Sequence, residues 1–247
     1  MSPSTLVGVA AVGLVAGVVN TLAGAGSLVT LPALMLLGVP APVANATNRV
    51  GVVLQSAAAC ASMSRADVLE VSRGPRLMVP AALGALGGAW LSARLDPALF
   101  KDAIGVGMIV VLLSLYLPWR RYLPATKTAI PPAARFVIYL AIGAYGGFLQ
   151  AGVGLYLLAA LQITEGLDLV RSNAIKALLV LTFTVVSLGV FGLHGLIDLP
   201  VAGALAVGSL AGGALGARLS VQGGERLIRA AVTVAVLGSL AALWAQG

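Results

Sequence analysis

Charge is what this sequence has least of, and its absence comes in blocks. No Asp, Glu, Lys, Arg or His occurs from Met1 to Asn48. The same five are missing from Phe136–Thr164, Leu77–Ala93, Ala103–Trp119, Leu199–Ala217 and Ala230–Gly247. Only 9% of the 247 residues are charged and 60% are hydrophobic, whereas about a quarter of a soluble domain is charged. A water-soluble fold could not cover that much apolar surface, so lipid is the solvent for most of it. Crossing the hydrocarbon core takes ~20 apolar residues in a helix, and the runs lack the two-residue alternation of a transmembrane strand. The expectation is an all-α, polytopic transmembrane helical bundle of about 8–10 segments, a single transmembrane domain over residues 1–247.

Other absences narrow the function. The single cysteine, Cys60, excludes an intramolecular disulfide and a multi-cysteine metal site; it reads as a small residue in a packed helix. No basic region precedes the first apolar run, and apolar sequence continues far beyond any cleavage point, unlike a secretory signal. No GxxxxGK[ST] loop is present, which excludes ATP-driven transport by this chain alone. A serine hydrolase built on Ser27 and His194 would lack a nucleophile elbow and an orienting acid, and no uncharged span holds the paired acids of an aspartyl mechanism. The chain reads as no enzyme, with no cofactor and no metal.

The charges that are present lie in links between apolar runs, such as Arg65, Arg73 and Arg76, or Arg120, Arg121, Lys127 and Arg135. The net charge of +7 therefore reads as a set of topology signals and not as a nucleic-acid surface.

An internal repeat organises the chain. Leu83–Leu95 (LGALGGAWLSARL) and Val207–Leu219 (VGSLAGGALGARL) share seven of thirteen positions without a gap. Gly13, Gly17 and Asn20 match Gly143, Gly147 and Gln150. Gly24-x-Gly26 matches Gly152-x-Gly154 if two residues are deleted, and Asn45-Ala46-Thr47-Asn48 matches Asn173-Ala174-Ile175-Lys176. The repeats are about residues 1–123 and 124–247, joined by a Pro-rich basic link, Pro118–Pro132. Each half reads as a Gly-broken helix pair plus three full transmembrane helices. In the first half these are Leu6–Leu22 with Ser27–Leu37, then Val43–Met63, Pro75–Ala93 and Leu99–Leu117. In the second they are Ala134–Gln150 with Val153–Ile163, then Leu169–Leu193, Pro200–Ala217 and Glu225–Trp244.

Orientation follows from where Lys and Arg fall. The Arg65–Arg76 link carries three Arg, and its counterpart His194–Leu199 carries no Lys or Arg. The link around Arg94 and Lys101 is outnumbered by its counterpart with Arg218, Arg226 and Arg229. Opposite bias in equivalent loops is the mark of inverted repeats. With the Arg65–Arg76, central and Arg218–Arg229 links in the cytoplasm, both termini lie outside. Gly-x-x-x-Gly spacings at Gly13/Gly17, Gly84/Gly88, Gly143/Gly147 and Gly208/Gly212 suit close helix packing or a moving interface.

Several polar residues interrupt the apolar runs. Asn20–Ser27 contains Gly24 and Gly26 and breaks the first uncharged stretch. Either this is a surface loop, or it is unwound backbone lining a cavity, with Ser27 capping the next helix and its positive end turned to an anion. Asn45, Asn48 and Arg49 share one helix face, and Asn173 and Lys176 stand at nearly equivalent positions in the other half. A cation at mid-bilayer costs ~2.5–3.5 kcal/mol even on insertion scales, so snorkelling, an acidic partner or an anionic substrate must offset it. His194 reads as an interfacial residue or a proton relay, and Glu165 and Asp168 as solvated helix ends or participants in proton coupling. Trp90, Trp119, Trp244 and Tyr122 read as interface anchors.

The string Gly17-Val-Val-Asn20-Thr-Leu-Ala-Gly24-Ala-Gly26-Ser27-Leu-Val-Thr30-Leu-Pro32, followed by Asn45-Ala-Thr-Asn48-Arg49, resembles the TauE/SafE sulfite exporter family. The second glycine element and the Ser172–Lys176 string (SNAIK) extend the resemblance over the chain. It implies a bacterial permease for sulfite, a sulfonate such as sulfoacetate, or a related organic anion. The second half departs from the pattern by losing two residues in its glycine element and having no serine at the Ser27 position.

The combined expectation is a multi-pass secondary transporter or exporter of a small anion in the cell inner (plasma) membrane, working by alternating access. Candidate substrate-binding residues are Asn20, Gly24, Gly26, Ser27, Asn45, Asn48, Arg49, Gln150, Asn173 and Lys176. With ATP excluded, a proton or potential gradient is left as the drive. A passive anion channel, or a membrane subunit of a larger complex, is the alternative. The oligomeric state is not encoded in any of these features.

Overall fold

A computed structural model describes residues 2–69, 74–116 and 130–244, and among these the regular structure is helical throughout. The elements are α1 (Pro3–Ala23), α2 (Ser27–Leu36), α3 (Ala41–Arg65), α4 (Gly74–Arg94), α5 (Pro97–Tyr116), α6 (Pro132–Phe148), α7 (Val153–Glu165), α8 (Leu169–Leu193) and α9 (Leu199–Trp244). Most of the central link, with Trp119 and Tyr122, falls outside the described residues.

Local chemistry accounts for several of the boundaries. Ser2 caps α1 by accepting from the Thr5 amide, and Pro3, with no N–H to leave unsatisfied, opens it. Pro40 and Pro131 precede α3 and α6. Asp168 caps α8 through the Val170 and Arg171 amides. Gly24 ends α1 at φ 71 and Gly166 ends α7 at φ 64.

The helices Pro3–Ala23, Leu169–Leu193 and the Leu199–Gly223 part of α9 are long and apolar enough to cross a membrane. By contrast α2, with 10 residues, and α7, with 13, reach only ~15 and ~20 Å at 1.5 Å per residue, too short to cross the core alone. Helix α3 is long enough, but Asn45, Thr47, Asn48, Arg49, Gln55 and Ser56 dilute its hydropathy. All six are buried inside the protein.

One boundary expectation fails. The segments Pro200–Ala217 and Glu225–Trp244 are parts of a single 46-residue helix. The chain contains no proline after Pro200, so no backbone donor is missing. Gly223 and Gly224 each cost only ~1 kcal/mol relative to alanine, too little to force a break.

Small residues set two close helix crossings, α1 against α9 and α4 against α6. A Cβ on Gly13 or Gly17 would fall on the backbone of Leu205 or Ser209, and one on Gly208 or Gly212 on that of Ala10 or Leu14. At the other crossing, Gly84 and Gly88 lie on Leu140 and Ala144, while Gly143 and Gly147 lie on Ala81 and Ala85. All four Gly-x-x-x-Gly spacings thus serve close backbone approach, the source of attraction left to helices whose surroundings are as apolar as their side chains. Trp90 is exposed on α4, with the Arg94 guanidinium 4.0 Å over its ring.

Candidate functional site

The two broken pairs meet backbone to backbone. Gly24 and Gly154 press directly on each other, with no room for a side chain between them, and the Gly154 amide donates to the Gly24 carbonyl at 3.3 Å. Alanine packing surrounds the junction, with Ala23, Ala25 and Ala151 fully buried. The second break is built differently from the first. Gln150 takes φ 65 and Gly152 φ 69, so two left-handed residues turn the chain where α1 uses only Gly24.

Arg49 and Lys176 reach across the chain to these breaks. Arg49 donates from Nη1 to the Gly146 carbonyl at 2.6 Å and from Nη2 to the Gly147 carbonyl at 2.8 Å, in the last turn of α6. Lys176 Nζ donates to the Asn20 and Thr21 carbonyls at 3.1 and 2.9 Å, in the last turn of α1. Each cation of one half therefore satisfies carbonyls that end the broken helix of the other half. That position also favours positive charge, because the helix dipole presents its negative end there. Arg49 is 0% and Lys176 2% exposed, so neither snorkels, and no carboxylate lies within ion-pair distance of either among the described residues. Phe191 closes over the Arg49 guanidinium at 5.2 Å.

Of the neighbouring amides, Asn45 braces the same end of α6 as Arg49, while Asn173 and Gln150 bond to side chains of other helices. Asn45 donates to the Phe148 carbonyl at 3.0 Å and to Ser92 at 3.4 Å, and accepts from Arg49 Nη2 at 3.5 Å. Asn173 donates to Ser220 at 2.7 Å, while its Oδ1 is buried without a partner. Gln150 donates to Thr184 at 2.8 Å, and its Oε1 is likewise unpartnered.

Asn48 does different work from Arg49. It donates to Ser27 Oγ at 3.0 Å and accepts from Thr30 at 2.8 Å, fastening α3 to the start of α2. Ser27 does not cap α2. Gly26 holds the cap position, in right-handed helical conformation and with no side-chain bond, and the Ser27 hydroxyl serves Asn48 instead. The reason is the tightness of the break: Asn20 Oδ1 folds forward to take the Gly26 amide at 3.2 Å, and Ala25 and Gly26 carbonyls take the amides of Leu28, Val29 and Thr30. A side chain at Gly26 would fall on the Ala16 carbonyl and the Asn20 Cβ.

Near the Lys176 end lies a cavity with room for little more than a water molecule. Asn20, Thr21, Gln55, Ser56 and Lys176 supply its polar wall. Thr21, Gln55 and Ser56 were not among the candidate binding residues, although Gln55 and Ser56 follow Arg49 on the same polar helix. Glu165 lies 3.3 Å from Arg135 and Asp168 is a helix cap. His194 Nδ1 lies 2.8 Å from the Val190 carbonyl.

A polytopic helical membrane protein with two broken helix pairs, the first helix of each ending on a buried cation, is the class these features define. The chain belongs to the sulfite exporter TauE/SafE family, whose pattern it matches over residues 9–243. It is 26% identical over 231 residues to a probable membrane transporter protein of Haemophilus influenzae, covering 90% of this chain and 88% of the relative. The probable membrane transporter protein YfcA of Escherichia coli is also 26% identical, over 90% of this chain and 83% of its own length. The probable membrane transporter protein ORF9 of a Sinorhizobium species is 23% identical, with 87% and 83% covered. No solved structure matches.

Proposed function

We propose that this protein is a secondary transporter, not an enzyme, that exports a small anion such as sulfite or a sulfonate through the cell inner membrane. It works by alternating access between two inverted repeats, about residues 1–123 and 124–247. The observation that carries this reading is reciprocity. Lys176 holds the carbonyl end of α1, Arg49 holds the carbonyl end of α6, and the paired glycine crossings α1–α9 and α4–α6 repeat the exchange. Two equivalent units gripping each other through the same groups have two equivalent ways to be arranged, which alternating access requires. Recognition is assigned to Lys176, Arg49, the amides of Asn20, Asn45, Asn48, Gln150 and Asn173, and the Gly24, Gly26 and Ser27 break. Two buried cations with no carboxylate partner among the described residues make the interior electropositive, which suits an anion. A proton or the membrane potential supplies the drive.

Purified protein in liposomes is expected to move sulfite or a sulfonate faster than empty vesicles, with a rate that saturates and responds to an imposed proton gradient or potential. Flux that rises linearly with concentration and ignores both gradients would mark a passive pore. Orientation has its own test. In a Cys60→Ala background, Ala66→Cys and Gln222→Cys, both at exposed positions, should be labelled from the cytoplasm, and His194→Cys from the other side. Labelling of all three from one side would remove the inverted arrangement.

A further inference from the structure

The two cations stand one position apart in the repeat alignment and differ in their surroundings, and the difference locates a subsite. Both terminal nitrogens of Arg49 are spent on carbonyls, Phe191 lies against its guanidinium, and only its Nε is unpartnered. Lys176 spends two N–H donors on the Asn20 and Thr21 carbonyls, and an ammonium has three. Its side chain borders the small cavity, which the Arg49 side chain does not. Thr21, 4% exposed, lines the same cavity, and its buried Oγ1 has no hydrogen-bond partner. Gln55 and Ser56, also buried, complete the polar wall, and alanine and valine side chains form the rest. An orphaned hydroxyl beside a spare ammonium donor is an arrangement that costs free energy until something occupies it.

Resting on the anion-transport reading, we infer that Lys176, Thr21, Gln55 and Ser56 form the anion subsite and that it accepts a monoanion, such as hydrogensulfite or a simple sulfonate, in preference to a dianion. Among the described residues Lys176 is the one ionisable group on the cavity wall. A monoanion paired with it leaves no net charge buried. A dianion leaves one negative charge with only neutral hydroxyl and amide donors, in a place where an uncompensated charge is costly. The hydroxyls of Thr21 and Ser56 and the Gln55 amide can each donate to an oxygen, and each hydroxyl or amide oxygen can accept the proton of hydrogensulfite. As it stands the cavity holds about one water, so α1, α3 and α8 must part to admit any of these ions, and a compact one asks least of them. Within the anions considered above, sulfoacetate, with both a sulfonate and a carboxylate, is disfavoured on charge and on size.

The test is calorimetric binding to the detergent-solubilised full chain with three probes of fixed charge at neutral pH: methanesulfonate, sulfate and sulfoacetate. Methanesulfonate is expected to bind about a hundredfold more tightly than either dianion. Thr21→Val and Gln55→Leu should each weaken methanesulfonate about tenfold, and Thr21→Ser, which keeps the hydroxyl, should recover most of what Thr21→Val loses. Should Thr21→Val fail to fold, Gln55→Leu and Ser56→Ala carry the same question. Equal binding of sulfate and methanesulfonate would overturn the monoanion preference. Parental affinity in the folded Thr21→Val and Gln55→Leu variants would move the subsite elsewhere. Both results would leave anion transport standing. Absence of binding by all three probes, together with absence of anion flux in liposomes, would remove the transport reading and this subsite with it.

Discussion

Gly24→Ala is expected to lose most of the folded protein recovered in detergent, whereas Gly38→Ala is expected to cost little. Both glycines have positive φ, 71 and 82, so an alanine at either carries the same left-handed strain of ~1–2 kcal/mol. They differ in what a methyl group would meet. At Gly38 nothing lies within 4 Å, and at Gly24 the new Cβ would occupy the space of the Gly154 backbone. Neither side of that junction can yield cheaply. Gly24 is fixed by its amide bonded to the Asn20 carbonyl at 2.7 Å, and Gly154 by its own bond to Gly24. Overpacking of this kind costs ~1–3 kcal/mol beyond the strain, and here it also pries apart the two helix ends that Arg49 and Lys176 hold. Monodispersity and thermal midpoint of the two variants, compared in one detergent, separate strain from collision. Equal midpoints would mean that the Gly24–Gly154 junction is not part of the stable fold.

That junction also shows where one-dimensional reading stops. The broken pairs, the long helix Leu169–Leu193 and the polar face of α3 are visible in the sequence because each is local. A cap, a glycine and a run of apolar residues fix them within a few positions of the chain. What the polar groups touch is not local. Arg49 meets carbonyls 97 and 98 residues away, and Lys176 meets carbonyls 156 and 155 residues away. Backbone acceptors carry no residue-type signature, so a search for acidic partners or an interface could not find them. One long-range signal does stand in the sequence, outside the motifs that suggested the site. Ser92 follows Asn45 by 47 residues, and Ser220 follows Asn173 by 47, a repeated Asn–Ser spacing that pairs each amide with a serine. Ser27 misled for the opposite reason. A serine before a helix is an ordinary cap, but the bend leaves that position to Gly26, and a tertiary partner, Asn48, takes the hydroxyl.

Arg49→Met and Lys176→Gln should therefore fail in different ways, although the two positions are nearly equivalent in the repeat. Removing the Arg49 guanidinium strands the Gly146 and Gly147 carbonyls in a dry interior, each at ~1–3 kcal/mol, and empties the space under Phe191. The charge removed was itself expensive to bury, but methionine returns no hydrogen bond, so the net effect is a large fall in thermal midpoint without anion. Arg49→Lys should recover only part of it. A single ammonium keeps the charge but lacks the planar fork that bonds the two carbonyls separately. Lys176→Gln is a milder change to the fold, because a glutamine amide can still donate to the Asn20 or Thr21 carbonyl. Its midpoint without anion should stay near the parent's, while affinity for a monoanion falls about ten- to a hundredfold with the loss of a charge-assisted hydrogen bond. Thermal midpoint without anion and binding affinity, measured on the same preparations, place the two variants on different axes. A parental midpoint for Arg49→Met would show that the α6 end needs no clamp, and parental affinity for Lys176→Gln would take the substrate away from the α1 end.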